Sequence, residues 1–260
     1  MDEVARISEK AVNEVSAKTG FDPSLMLKDY YITIILYLIK DVSGLYFKGG
    51  TALQKIILNY SRVSEDIDFT LTRKISSVKK EIEDILAKSK LFDKITEDKN
   101  VQGFTRMIAH YKDFLDKDAT IFIDLNQRGK LLTKPEKHEL SHFYKEYIPQ
   151  FSFNTLSKEE MIAEKVAATI GRNKPRDHYD VYQILKNRML INMEIVKKKC
   201  ADSGDEFSII KMFNNAKKLH RRWHEDMASL LVDPVSFKEV MTTLAKHFKL
   251  KEEKDQLKKK

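Results

Sequence analysis

The stretch from residue 45 to 71, LYFKGGTALQKIILNYSRVSEDIDFTL, constrains the fold more than any other part of the chain. A short apolar run (Leu45, Tyr46, Phe47) enters Lys48-Gly49-Gly50-Thr51, and an amphipathic pattern follows with Ala52, Leu53, Ile56 and Ile57 on one side. That order spells strand, glycine turn and helix. Arg62-Val63-Ser64-Glu65 then leads into Asp66-Ile67-Asp68-Phe69, which alternates polar and apolar as a second strand does. Asp66 and Asp68 therefore share one strand face, about 7 Å apart, and repel each other. A hard divalent cation such as Mg2+ or Mn2+ resolves that conflict, because it takes one or two carboxylates and keeps positions open for water and phosphate oxygens. Upstream, the glycines allow close backbone approach, and the N-terminus of the following helix offers N–H groups to an anion. Each part alone has a plainer reading. Gly-Gly-Thr can be an ordinary strand-to-helix turn with Thr51 as N-cap, and Asp-x-Asp a solvated strand face. Together and in this order they favour a nucleotide-phosphate site.

The 260 residues suffice for one large domain or two modest ones, and 42% hydrophobic content supports a real core. A net charge of +8 suits a partner that carries phosphates. The single cysteine, Cys200, excludes an internal disulfide framework, and no Cys/His cluster suggests zinc. The charged start has no secretory apolar run, and the most apolar segment, 30–39, is too short to span a bilayer. A cytoplasmic protein with no membrane partner is the expectation.

The spacing predicts an amphipathic helix over 1–19, a buried helix over 25–40 with Asp29, Tyr30 and Tyr31 at its polar edge, and a charged helix over 76–90 striped by Val78, Ile82 and Ile85. Residues 91–128 read as strands, with runs at 105–111 and 120–125. Asp124 breaks the second of these, and an aspartate there is costly unless paired, exposed or metal-bound. It is either a strand-end acid or the third metal carboxylate, and its position after the Asp-x-Asp strand favours the latter. Residues 126–149 read as a polar crossover, and from 151 onward the pattern is helical. Lys165, Thr169 and Arg172 fall on one helical stripe, and Asp177 and Asp180 lie one turn apart beyond Pro175. Two or three packing helices are expected after 191. Trp223 is expected in their core beside two exposed arginines, Arg221 and Arg222, with an RNA contact by Arg221-Arg222-Trp223-His224 as the alternative, and the tail from 249 is expected to be frayed or disordered.

The residues Gly-Gly-Thr-x-Leu, then Arg-x-Ser-x-Asp-Ile-Asp, and later Arg176-Asp177-x-x-Asp180, resemble the AbiEii family of nucleotidyltransferase toxins, within the polymerase-β-like superfamily. The resemblance implies an α/β (α+β) nucleotidyltransferase core with a mixed sheet over 1–140, and a helical C-terminal domain over 141–260 that closes the active site. It implies Asp66, Asp68 and Asp124 as catalytic metal ligands, with Lys48, Gly49, Gly50, Thr51, Arg62 and Ser64 at the nucleotide. Lys165 would hold the triphosphate, Arg172 would support it, and Asp177 and Asp180 would complete the site. The implied reaction moves an NMP from an NTP, with Mg2+ or Mn2+, onto a hydroxyl of tRNA or another RNA, in a toxin with a cognate antitoxin. Nucleotidylation of a protein, or a non-catalytic nucleotide- or RNA-binding module, are the alternatives.

Overall fold

The computed structural model of the chain describes residues 4–258. They fall into two compact units, the first ending at Ser157 and the second beginning at Lys158.

In the first unit, α1 (Glu9–Thr19) starts at Ser8, whose hydroxyl accepts the Ala11 N–H, and ends at the left-handed Gly20. The expected start at residue 1 is corrected to Glu9, with residues 1–3 outside the described part. Helix α2 (Pro23–Ile39) starts with proline at N1 behind an Asp22 cap, as a proline-led helix should. It is buried on all sides, so Asp29, Tyr30 and Tyr31 are core residues and not the expected polar edge. Asp29 lies 2.7 Å from Lys55 on α3 (Gly49–Ile56), and Lys55 also donates to Thr33 and Tyr60. The single proton of the Tyr60 hydroxyl has both Asp29, at 3.1 Å, and the Ser141 carbonyl, at 3.0 Å, within reach as acceptors. Burial pushes the Lys55 ammonium pKa down while Asp29 opposes the shift. Removing one partner of such a pair leaves a buried unpaired charge. Asp29→Ala is therefore expected to cost about 3–5 kcal/mol in urea unfolding; a midpoint within error of wild type would sink this.

Helix α4 (Ile75–Ser89) buries Val78 and Ile82 as expected, but Leu86 in place of Ile85. The sheet, among the described residues, has seven strands: β1 (Leu45–Lys48), β2 (Ile67–Leu71), β3 (Lys94–Val101), β4 (Phe104–Lys112), β5 (Asp118–Asn126), β6 (Glu136–Glu139) and β7 (Ser152–Thr155). Their order is β3-β4-β5-β2-β1-β7-β6. β2 runs parallel to β5 and β1 parallel to β7, while the other pairs are antiparallel, so the sheet is mixed, as expected. β3 falls within the expected strand region, whereas β6 and β7 depart from the reading of the sequence. β3 is nearly all polar because it is an exposed edge that needs no apolar face. β6 interrupts the expected crossover, and β7 replaces helix at 152–155. Four residues are too few to display a period, and pairing with β1 is what makes β7 a strand. The core face carries Phe47, Phe69 and Phe153, with ring centroids 5.7–5.8 Å apart.

The second unit is helical: α5 (Lys158–Ile170), α6 (Pro175–Lys186), α7 (Met193–Asp202), α8 (Ala216–Met227), α9 (Phe237–His247) and α10 (Leu250–Lys258). After 191 the described residues form four α-helices, more than the two or three expected, because 3-10 turns at Ile209–Phe213 and Ala228–Leu230 break the pattern into short pieces. The tail is ordered as α10 through Lys258, a correction to the expected fraying; its last two residues lie outside the described part. Trp223 is buried beside exposed Arg221 and Arg222, as expected, and its indole N–H donates to the Val235 carbonyl at 2.8 Å.

Candidate active site

Register builds a charged row in the first unit. Lys48 on β1 lies opposite Asp68 on β2, Asp68 beside Asp124 on β5, and Asp124 opposite Arg106 on β4. Cross-strand neighbours point to the same face. One transverse row of the sheet therefore reads Lys, Asp, Asp, Arg, while the next row reads Phe47, Phe69, Leu125 toward the core. Two like charges side by side are unfavourable, and the flanking cations offset them.

The glycine turn closes on this row. Gly49 has φ +78°, a left-handed conformation open to glycine at little cost, and a Cβ there would fall on the Asp68 carboxylate. A Cβ on Gly50 would stand 2.8 Å from the Ser64 hydroxyl and 3.1 Å from an Arg62 guanidinium nitrogen. Helix α3 begins at Gly49, so Thr51 sits inside its first turn and is not the N-cap; no side chain caps the helix at Lys48. The Thr51 hydroxyl instead donates to the Asp66 carbonyl and ties the start of β2 to the helix. Arg62 is buried, with Nη1 donating to the Val63 carbonyl at 2.8 Å, which places it beneath the turn that carries Ser64. Gly49→Ala is expected to abolish folding of the turn's native shape and cost about 2 kcal/mol or more from the left-handed backbone alone. Thermal unfolding checks it, and an unchanged midpoint would refute the close approach.

Asp124 accepts a bidentate pair from Arg106, with Nε and Nη2 each 2.7 Å from a carboxylate oxygen. Hydrogen bonding to Asp124 holds the Arg106 pKa above its ordinary value, and Asp66 adds to that field. Among the described residues no three acidic, His or Cys side chains are gathered around one point as a metal site. The sequence reading missed Arg106. It occupies a polar position of β4, but only the β4–β5 register puts it on Asp124.

Hard oxygen donors suit Mg2+ or Mn2+, and the Asp68 carboxylate laid over Gly49 brings one to the backbone cradle. Asp68 thus puts one hard oxygen donor at the cradle, and Asp66 lies one residue before the start of β2.

The second unit contains its own cluster. Lys165 on α5 lies 3.1 Å from Asp177 and 3.0 Å from Asp180 on α6. Arg172, just past α5, forms a bidentate pair with Asp177 at 2.8 and 2.7 Å. Both aspartates are fully buried and Lys165 nearly so, whereas half of the Arg172 side chain is exposed. Burial would raise the Asp177 pKa, but Lys165 and Arg172 together hold it well below the usual carboxylate range. Asp180 pairs with Lys165, a partner that the spacing from Arg172 and Arg176 did not suggest.

A family model described as nucleotidyl transferase AbiEii toxin, type IV TA system, matches residues 38–246. MenT4, a nucleotidyltransferase toxin from Mycobacterium tuberculosis, superposes with a TM-score of 0.72 at 18% identity, over 93% of this chain and 88% of its own. JHP933 from Helicobacter pylori superposes with a TM-score of 0.58 at 18% identity, over 92% and 98%. At that identity both likenesses speak for the fold. No curated protein matches the chain in sequence. The match across both units agrees with the glycine turn, the Asp-x-Asp strand and the later Arg-Asp-x-x-Asp: the chain belongs to the AbiEii family, the nucleotidyltransferase toxins of type IV toxin–antitoxin systems.

Proposed function

We propose that this nucleotidyltransferase moves an NMP from an NTP onto a hydroxyl of an RNA acceptor, tRNA being the expected one, in a cytoplasmic toxin countered by an antitoxin. The observation that carries the reading is the Asp68 carboxylate lying on the Gly49 backbone within a charged row that runs from Lys48 to Arg106. Nucleotide phosphates and paired carboxylates would meet there, at the N-terminus of α3.

Asp66 and Asp68 would hold Mg2+ or Mn2+. That ion, when bound, would neutralise charge on the triphosphate. The first-turn N–H groups at Gly49 and Gly50, with the Ser64 hydroxyl beside them, orient the phosphates, and Lys48 supplies a positive charge from the row. Arg62 supports the turn from below. Asp124, locked by Arg106, keeps a second lone pair on each oxygen and positions the acceptor hydroxyl. Asp124 takes the proton of the acceptor hydroxyl as its oxygen bonds to the α-phosphorus, the bond from that phosphorus to the bridging oxygen breaks, and pyrophosphate leaves with the electron pair. In the second unit, Arg172 and Lys165, oriented by Asp177 and Asp180, would neutralise phosphate charge. An RNA acceptor is supported by the chain's net charge of +8.

The test is transfer of label from each of four α-labelled NTPs, with Mg2+, into total RNA and total protein. Label in small RNA from one NTP is the expected result. Label in protein alone would replace the RNA acceptor by a protein one. Nucleotide binding without any transfer would leave a non-catalytic module.

A further inference from the structure

The second unit carries nearly all of the chain's excess charge. It holds 18 lysines and 5 arginines against 7 aspartates and 9 glutamates, a net +7, whereas the first unit has 24 basic and 23 acidic residues, a net +1. Such asymmetry between parts of one chain points to a polyanion on the basic part.

Within that unit, α8, α9, α10 and the turn at Ile209–Phe213 enclose an open groove of about 990 Å3. That volume is at the upper end for small-molecule pockets and admits a polymer segment. Its floor is apolar, with Met241 and Ala245 one turn apart on α9 and Leu250 at the start of α10. Three rings border it: Phe213, His220 and Phe237, the last two with centroids 5.1 Å apart. His220 is exposed, and Phe237 is fixed from behind by Trp223 at 5.6 Å. Five lysines line the groove, Lys217 from α8, Lys238 and Lys246 from α9, Lys251 and Lys254 from α10, and no acidic residue does.

We infer that this groove binds a single-stranded segment of RNA, its bases against the His220–Phe237 rings and apolar floor, its phosphates along the lysine rim. Aromatic platforms inside a positive track are how proteins hold single strands without reading their sequence. An acidic protein helix would answer the same floor and rim, but the charge runs on past the groove. Arg221 is exposed on α8 one turn beyond Lys217, as a longer polyanion requires. The inference rests on the RNA-acceptor reading for its biological partner, though the binding itself is measured without transfer.

The experiment is fluorescence anisotropy of the full chain with labelled oligouridylate and with deacylated tRNA, between 50 and 200 mM salt (about the range over which phosphate contacts are read). The triple variant Lys217→Ala, Lys246→Ala, Lys254→Ala removes exposed groups only. It is expected to bind oligouridylate at least about tenfold more weakly at low salt, with the salt slope reduced by about 2. His220→Ala is expected to lose about fivefold or more with the slope unchanged, the sign of stacking. Wild-type affinity and slope in both variants would overturn the inference, as would equal competition by polyglutamate, which offers charge without bases. Label appearing in protein while the groove variants still lose RNA would instead fail the acceptor reading and leave the groove standing.

Discussion

Asp68→Asn is expected to lower nucleotidyl transfer by at least about 100-fold without loss of stability, and Asp66→Asn to do the same. Asp68 stands beside Asp124 on the neighbouring strand and over Gly49 at the helix start. An amide has nearly the same shape, so the Gly49 turn keeps its packing, while the anionic oxygen that a divalent cation needs is gone. Like charges directly across adjacent strands oppose each other, so removing one relieves repulsion in the row and leaves the thermal midpoint equal or raised. Activity and stability should therefore move apart, which a merely misfolded variant would not do. Steady-state transfer of label at saturating Mg2+, with the thermal midpoint of the same sample, checks both. Wild-type rates in the two variants would end the metal-pair assignment.

Lys165→Met is expected to destabilise the protein by about 3–5 kcal/mol. The substitution takes away the cation that lies 3.1 Å from Asp177 and 3.0 Å from Asp180, two carboxylates fully buried on one helix. The pH dependence should change with it. Because the folded-state Asp177 pKa lies below its unfolded value of about 3.9, its contribution to stability is complete above that value. The contribution is lost as pH falls from there toward the folded-state value. Without Lys165 the larger of the two opposing charges is gone, burial regains weight, and acid destabilisation should begin at higher pH. Urea midpoints at a series of pH values from neutral to strongly acid read the shift. Superimposable curves for the two proteins would show that the cluster does not hold Asp177 ionised.

The parts of the site that rest on neighbours in the chain are legible in the amino-acid sequence. Glycines at 49 and 50, the alternation through Asp66 and Asp68, and the one-turn spacing of Asp177 and Asp180 all report local geometry with short periods. The same holds for α2, β2, β4, β5 and α6, whose patterns run for at least several residues. Short elements carry no such signal. β7 has four residues and becomes a strand through β1, and Ile85 gives way to Leu86 because packing against the sheet, not the stripe alone, selects the buried side.

By itself the sequence determined the mixed α/β core, the glycine turn before the carboxylate strand, and the family to which the chain belongs. Only the tertiary structure decided the partners of the charges. Arg106 meets Asp124 through strand register, Lys55 meets Asp29 through helix packing, and Lys165 lies between Asp177 and Asp180. Periodicity records which face a side chain takes, because it follows from the backbone repeat of its own element. Ion pairing across elements depends on how distant segments align, and a buried charge is tolerated only where that alignment supplies its counter-charge.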